Sequence, residues 1–210
     1  MKIVCISDTH CQVSKVSLPK GDVLIHAGDH SYRGSVQEMS KALKELAEKG
    51  KDFKHIIVID GNHDWLGETN PSLMRQLCVD NGLTYLMDSW VIIEGKVFYG
   101  SPWQPEFCSW AFNVPRGAAI AKKWALIPDK VDVLITHGPV QGILDTCPDG
   151  FKAGCEELFK RVMQVRPELH VCGHIHHSYG VQHFDGITFV NASICDERYL
   201  PINKPIEIDL

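Results

Sequence analysis

Five short motifs carry side chains of the types that bind metal ions, and each follows an apolar, strand-like run. A lone Asp, Asn or His at such a position is most often a turn former or a surface residue. In open α/β sheets, however, ligands bind beyond the carboxyl ends of the strands. Five repetitions of one pattern therefore favour a single shared site. In chain order the motifs are Asp8-Thr9-His10, Gly28-Asp29, Gly61-Asn62-His63-Asp64, His137-Gly138 and Gly173-His174-Ile175-His176.

The candidate metal ligands in these motifs are nitrogen and oxygen donors, and they are too many for one ion. They are Asp8, His10, Asp29, Asn62, His137, His174 and His176. Two ions that share a bridging carboxylate would use all of them, as in the paired sites of phosphatases and nucleases, where the ions lie about 3.5–4 Å apart. Mn²⁺ is the first expectation, with Fe, Zn, Ni, Co and Mg as alternatives. Spacing leaves open whether His174 and His176 bind the same ion.

The elements that must position these motifs follow from hydrophobic periodicity and turn residues. Strands are predicted at residues 2–7, 22–27, 55–60, 90–93, 97–99, 131–136, 169–172, 181–184, 187–190 and 205–210. Helices are predicted at 35–49, where Ser35 and Glu38 form a capping box, and at 70–82, 116–126 and 153–165. Residues 101–113, rich in aromatic side chains, are predicted to form an ordered loop. This order indicates an α/β protein of two stacked mixed sheets with helices outside.

Composition limits the classes of partner. The chain has 210 residues and a net charge of −5, which argues against a stable complex with duplex nucleic acid but not against a small phosphorylated substrate. We interpret residues 1–210 as one domain. No apolar run reaches the length of a membrane span, and no signal peptide is recognised. The eight cysteines contain no C-x-x-C pair, so we expect free thiols and a cytoplasmic location. The oligomeric state stays open.

As an ordered set, the five motifs resemble the signature of the calcineurin-like metallophosphoesterases. Within that superfamily the chain is similar to the brain-type metallophosphoesterase-domain-containing proteins, which are related to class III cyclic nucleotide phosphodiesterases. Residues 100–105, 113–117, 136–139, 166–171, 191–193 and 205–210 carry this second similarity. The resemblance implies a four-layer α/β/β/α sandwich and a hydrolase that cleaves phosphoric esters with two metal ions.

The resemblance also implies a role for each candidate residue. The first metal would be bound by Asp8, His10, Asp29 and His176, and the second by Asp29, Asn62, His137 and His174, with Asp29 as the bridge. A hydroxide held between the ions would attack phosphorus. His63 would stabilise the transition state or protonate the leaving oxygen. Asp64 would orient His63, and its alternative is a simple turn former.

The motifs and the resemblance together allow several functions. The first is a phosphodiesterase for small phosphodiesters, with cyclic nucleotides suggested by the resemblance. The alternatives are a phosphomonoesterase with the same site and a metal-binding scaffold without turnover. His30 is expected to line the pocket, whereas Arg33 is interpreted as a solvated loop residue. The aromatic cluster could stack a nucleobase, but we interpret it first as core; it contains Trp103, Phe107, Trp110 and Phe112.

Overall fold

Apolar β-branched runs form two stacked sheets at the centre of the molecule, in a computed structural model that describes all 210 residues. The first sheet has the strand order β13-β1-β2-β3-β4. Its strands are β1 (Lys2–Ile6), β2 (Val23–Ala27), β3 (His55–Ile59), β4 (Thr84–Tyr85) and β13 (Ile206–Asp209). Strands β1 to β4 are parallel, and β13 pairs with β1 in the antiparallel sense at the edge.

The second sheet has the order β11-β12-β10-β9-β6-β5. Its strands are β5 (Ser89–Ile93), β6 (Lys96–Ser101), β9 (Val133–Thr136), β10 (Leu169–Cys172), β11 (Gly180–Phe184) and β12 (Ile187–Asn191). The four inner strands are parallel, and the two edge strands belong to hairpins. Between β6 and β9, two short strands pair with each other, β7 (Gln104–Pro105) and β8 (Asn113–Val114). They add a small regular element to the predicted loop.

Helices cover the outer faces of both sheets. They are α1 (Val36–Lys49), α2 (Trp65–Thr69), α3 (Pro71–Asp80), α4 (Ala118–Trp124) and α5 (Glu156–Val165). Apolar residues of α1 and α3 pack on the first sheet, and those of α4 and α5 pack on the second. A third apolar cluster fills the space between the sheets, with Ile25 and Ile57 facing Val133 and Val171. The predicted four-layer α/β/β/α sandwich is therefore confirmed. No helix combines the length and the apolar character that crossing a bilayer requires.

The helix boundaries show where local signals misled the prediction. Helix α4 begins later than predicted because Gly117, with φ of 79°, is not helical. Helix α5 also begins later, because Cys155 is its N-cap and its Sγ accepts from the Leu158 N–H. The five-residue helix α2 is too short to show a period and was not predicted. Only half of the capping box forms: the Ser35 side chain accepts from the Glu38 N–H.

The carboxyl ends of the parallel strands lie at one edge of the sandwich, and the two sheets are joined there. Ser7, just beyond β1, forms an isolated parallel bridge with Ser193, just beyond β12. The Ile194 N–H also donates to the Ser7 carbonyl at 2.9 Å. The turns that follow strands of both sheets are thereby brought to one place.

Candidate metal centre

The turns after β1, β2 and β10 hold their polar residues in an unusual backbone conformation. Asp8, His10, Asp29 and His174 have φ of 53°, 42°, 58° and 68°. Non-glycine residues seldom adopt the left-handed region, and where they do, the strain is concentrated at functional sites. The surrounding contacts therefore hold these four side chains where an unconstrained turn would not place them.

Three of the candidate histidines are oriented by backbone carbonyls. Nδ1 of His10 lies 3.0 Å from the Ser31 carbonyl, and Nδ1 of His137 lies 2.9 Å from that of Ala27. Nδ1 of His176 lies 2.9 Å from the carbonyl of Asp196. Because a carbonyl can only accept, each Nδ1 carries a proton and donates it. In the neutral ring, Nε2 is then left with a free lone pair, which is the form that binds a metal ion.

The Nε2 atoms converge on two carboxylates. His176 Nε2 lies 3.3 Å from Asp8 Oδ1, and His137 Nε2 lies 3.3 Å from Asp29 Oδ2. His10 Nε2 lies 3.4 Å from His176 Nε2 and 4.0 Å from Asp29 Oδ2. Three sets of possible ligand atoms lie within 4.8 Å of one another: Asp8, His10 and His176; Asp8, Asp29 and His137; and His10, Asp29 and His63.

Charge compensation at this cluster comes from histidines alone. Asp8 and Asp29 are buried, and their only ion-pair partners are imidazoles. Burial raises the pKa of both carboxyls, but His176 beside Asp8 and His137 beside Asp29 hold each pKa below its usual value. Burial lowers the pKa of His137 and His176, yet the same carboxylates outweigh it and raise each to about 9. Two buried carboxylates without a lysine or arginine form a site suited to divalent cations.

The remaining two candidate ligands lie at the His137 side of the cluster. Asn62 Oδ1 is 3.0 Å from His137 Nε2. The His174 ring is tilted against that of His137 with their centroids 5.1 Å apart, but it belongs to none of the three close sets. Burial and the neighbouring His137 lower the pKa of His174 to about 3, so this ring is neutral at neutral pH. Its backbone N–H donates to both oxygens of Asp8, at 3.0 and 3.1 Å.

His63 lines the same cavity as Asp29, Asn62, His174 and His176, which we call the chamber, but different contacts hold its ring. Its Nδ1 lies 2.7 Å from the Tyr32 carbonyl, so Nε2 is the nitrogen left for the chamber. The His63 N–H donates to Asp29 Oδ1 at 2.8 Å, which links this residue to the carboxylate at the centre of the cluster. The Trp110 ring packs over the imidazole with centroids 4.3 Å apart.

The prediction that Asp64 orients His63 is wrong. The Asp64 carboxylate accepts from the backbone N–H groups of His30, Ser31 and Gly61, at 2.9 to 3.2 Å, and from the Ser31 hydroxyl. Through these hydrogen bonds, the Asp64 carboxylate connects the turn after β2 to the turn after β3. The orienting group of His63 is instead the Tyr32 carbonyl, which no side-chain motif could reveal.

Two further expectations can be compared with the structure. His30 is buried away from the chamber, with its ring stacked on His26 at 3.8 Å and Nε2 2.9 Å from the Ile59 carbonyl. The expectation that it lines the pocket is therefore wrong. Arg33 is exposed and is absent from the chamber wall, which agrees with its interpretation as a solvated residue.

Aromatic side chains from distant loops close the chamber, which has a volume of about 280 Å³. Phe107 and Trp110 line the chamber, as the nucleobase-stacking interpretation requires. Phe112 is fully buried in the core, as the core interpretation requires. Tyr199 packs edge-on against His10 with centroids 4.6 Å apart. Its sequence context gave no signal for this position. Besides the predicted ligands, His63 and the aromatic residues Phe107 and Trp110, the wall contains Cys147, Pro148, Ile175, His177, Glu197 and Tyr199.

Comparison with known proteins decides the family. The model of the calcineurin-like phosphoesterases matches residues 1–178 of the chain. The chain belongs to the calcineurin-like phosphoesterase family. This membership and the clustered donors together support a metal-dependent phosphoesterase that uses divalent ions.

Similarity to individual relatives extends over the whole chain. Metallophosphoesterase domain-containing protein 1 of Homo sapiens is 43% identical over 233 residues, covering 100% of this chain and 71% of the human protein. A UPF0046 protein of Caenorhabditis elegans, C25E10.12, is 37% identical over 230 residues, covering 100% of this chain and 81% of that protein. The resemblance to metallophosphoesterase-domain-containing proteins is thereby confirmed.

The fold also agrees with a solved structure. The structure of TT1561 from Thermus thermophilus superposes with a TM-score of 0.66, over 90% of this chain and 88% of that one. The two sequences are only 12% identical, so this similarity shows the shared fold alone.

Proposed function

We propose that this phosphoesterase hydrolyses small phosphodiesters with two divalent metal ions, for which Mn²⁺ is the first candidate. The observation that carries the proposal is the convergence of three carbonyl-anchored histidines on two buried carboxylates. Two bound ions would act as Lewis acids and lower the pKa of water at the site towards neutrality. The chain's own residues would bind the ions, hold the ester and deliver the proton.

The metal assignment gives each ion ligands from both sheets. Asp8, His10, Asp29 and His176 would bind the first ion, and Asp29, Asn62, His137 and His174 would bind the second. Asp29 Oδ2 lies 3.3 Å from His137 and 4.0 Å from His10, which supports its role as the bridge between the two sets. The short approach of Asn62 Oδ1 to His137 Nε2 also supports a shared ion, because both atoms are metal donors.

His63 is proposed as the general acid. In hydrolysis, the oxygen of water joins phosphorus, the bond from phosphorus to the leaving oxygen breaks, and that oxygen needs a proton. The Tyr32 carbonyl accepts from Nδ1 of His63, which leaves Nε2–H of the imidazolium to donate towards the chamber. After the transfer, the neutral ring keeps the same hydrogen bond, so its position does not change.

The charge of the chamber favours diesters over monoesters. A phosphomonoester carries two negative charges near neutral pH, whereas a diester carries one. No lysine or arginine lines the chamber, so beyond the metal ions and the proposed His63 imidazolium no side-chain cation is available for the second charge. The volume of about 280 Å³ suits a small substrate. Cyclic nucleotides are the first natural phosphodiesters to test.

The test is hydrolysis of bis-p-nitrophenyl phosphate against p-nitrophenyl phosphate, on metal-stripped protein resupplied with Mn²⁺. We expect a higher kcat/KM for the diester and little activity without metal. Preference for the monoester would replace the proposal by a phosphomonoesterase. Two bound ions with no turnover of either ester would indicate a metal-binding scaffold.

A further inference from the structure

A second chamber adjoins the metal centre and has a volume of about 380 Å³. We call it the side chamber. It shares Phe107, Cys147, His174 and Ile175 with the chamber at the metal centre, which we call the central chamber, so the two cavities meet at these residues. A molecule with its phosphate at the metal centre could therefore extend an attached group into the side chamber without leaving the site.

The chemical character of the side chamber is that of a pocket for an uncharged ring. Pro105, Phe107, Pro139 and Phe151 provide broad apolar surfaces, which suit the faces of an aromatic group. Glu106 is the only acidic residue in the wall. A second anionic group would meet this carboxylate, whereas a neutral ring would not be repelled.

Arg116 also lines the side chamber, and backbone carbonyls accept from two of its five N–H donors. Its guanidinium donates to the Gly154 and Ala153 carbonyls, both at 2.8 Å. These bonds tie the start of α4 to the loop before α5. Arg116 therefore acts as a clamp for the wall of the chamber.

A phosphodiester has two ester groups, which we call its arms: one leaves during hydrolysis and the other remains bonded to phosphorus. The position of the side chamber indicates which of the two arms it binds. His63, the proposed acid, lines the central chamber and is absent from the wall of the side chamber, whereas His174 lines both. The leaving oxygen must lie beside His63. The side chamber is thus available to the arm that remains bonded to phosphorus.

We propose that the side chamber binds a flat, uncharged aromatic ring on the retained arm of the phosphodiester, and that Phe151 determines this specificity. The inference rests on the proposed function and deepens it. Phe151 closes the turn after Cys147, where the Cys147 N–H donates to the Phe151 carbonyl at 2.8 Å. The side chain is 61% exposed, so its outer part is free to cover a bound ring.

The test compares two diesters that release the same p-nitrophenolate but retain different arms. Bis-p-nitrophenyl phosphate retains an aromatic arm, and methyl p-nitrophenyl phosphate retains a methyl group. For Phe151→Ala we expect the ratio of their kcat/KM values to fall by at least about fivefold, a fall within the range of alanine substitutions at ring-stacking residues. Phe184→Ala is the matched control, because Phe184 is an exposed phenylalanine on β11 outside both chambers.

The outcomes separate this inference from the function on which it rests. A lower ratio in Phe151→Ala with an unchanged ratio in Phe184→Ala supports the side chamber. An unchanged ratio in Phe151→Ala, with both diesters hydrolysed, overturns the inference and leaves the phosphodiesterase intact. Failure of the metal-loaded wild type to hydrolyse either diester overturns both.

Discussion

The imidazoles of the metal centre owe their orientation to backbone carbonyls. Ser31, Ala27 and Asp196 accept from His10, His137 and His176, and Tyr32 accepts from His63. A side-chain substitution cannot delete a carbonyl, so the tautomer of each ring depends on the course of the chain. Such anchoring raises the basicity of the free nitrogen and fixes its direction before a metal ion arrives.

Removal of the His63 ring separates binding from catalysis. His63→Ala should retain both metal ions and lower kcat by at least about 10²-fold, because the leaving oxygen loses its proton donor. Metal content by mass spectrometry and steady-state kinetics on the same preparation would check this. An unchanged kcat would show that His63 is not the acid.

Neutralisation of Asp29, the proposed bridge, should weaken the binding of both proposed ions at once. In Asp29→Asn, the side chain keeps its size but loses the charge between His10 and His137. We expect the occupancy of both sites to fall together when Mn²⁺ is titrated into the metal-free variant. Asp185→Asn, at an exposed ion pair with Arg166, is the control. Two fully occupied sites in Asp29→Asn would contradict the bridge.

Motifs reveal side chains that act next to strand ends, and they reveal little else about the site. The order and spacing of the five motifs predicted the residues that surround Asp8 and Asp29. The role of Asp64 was wrong because a carboxylate beside a histidine in sequence can turn towards three backbone N–H groups instead. Tyr199 was missed, since a loop residue of ordinary type reaches the site only through the three-dimensional fold, and Trp110, interpreted first as core, lines the chamber instead.

At the scale of elements, the turns after the strands are packed too closely for additional atoms. A Cβ on Gly61, just beyond β3, would lie 2.3 Å from Asp29 Oδ1 and 2.6 Å from His137 Cε1. Neither neighbour is a flexible surface group, because both side chains are buried at the metal centre. This turn therefore needs glycine for the close approach and not for its backbone angles.

Substitution of this glycine should damage the site while a neighbouring one tolerates the change. Gly61→Ala should lower the affinity for metal by at least about tenfold, since Asp29 or His137 must move to make room. Gly138→Ala is the matched control, because its Cβ would meet only the Gln104 Cβ, at 3.5 Å. Calorimetric titration with Mn²⁺ would measure both. Equal affinities in the two variants would show that the turn after β3 adapts.

Strands were easier to predict than helix starts, for a physical reason. The buried runs at β1, β2, β3 and β10 begin and end within one residue of the prediction, because apolar character changes sharply at their ends. Helix starts depend on which residue caps the first turn. Cys155 performs that role for α5, although cysteine is not a usual cap and gave no signal.

At the scale of the whole molecule, a buried histidine links stability to pH. His170 on β10 is fully buried, and its Nε2–H donates to Thr136 Oγ1 at 2.8 Å, since that hydroxyl donates to the Gly138 carbonyl. Burial lowers the pKa of His170 to about 3 from its ordinary value of 6.5. Between these pH values the unfolded chain binds a proton that the folded chain does not. Stability therefore falls as pH falls from about 6.5 towards 3.

Replacement of His170 should flatten this dependence. Below pH 6.5, the free energy of unfolding of metal-free His170→Gln should fall less steeply with pH than that of the metal-free wild type. The two slopes should differ by up to about 1.4 kcal/mol per pH unit. Denaturant titrations at several pH values would give the two slopes. His183→Gln, on the exposed strand β11, controls for the loss of one imidazole. Parallel slopes for wild type and His170→Gln would contradict the assignment.

The antiparallel edge strand β13 and the loop before it have a consequence for the order in which the molecule is made. Asp8 is synthesised early, but the Ser193 hydroxyl that donates to it and the strand β13 that pairs with β1 are made after every other element of the two sheets. Domains emerge from the ribosome amino end first. The first residue of the candidate metal centre to leave the ribosome therefore gains the Ser193 hydroxyl, and its strand β1 gains the pairing with β13, only after the other strands of the two sheets have been translated.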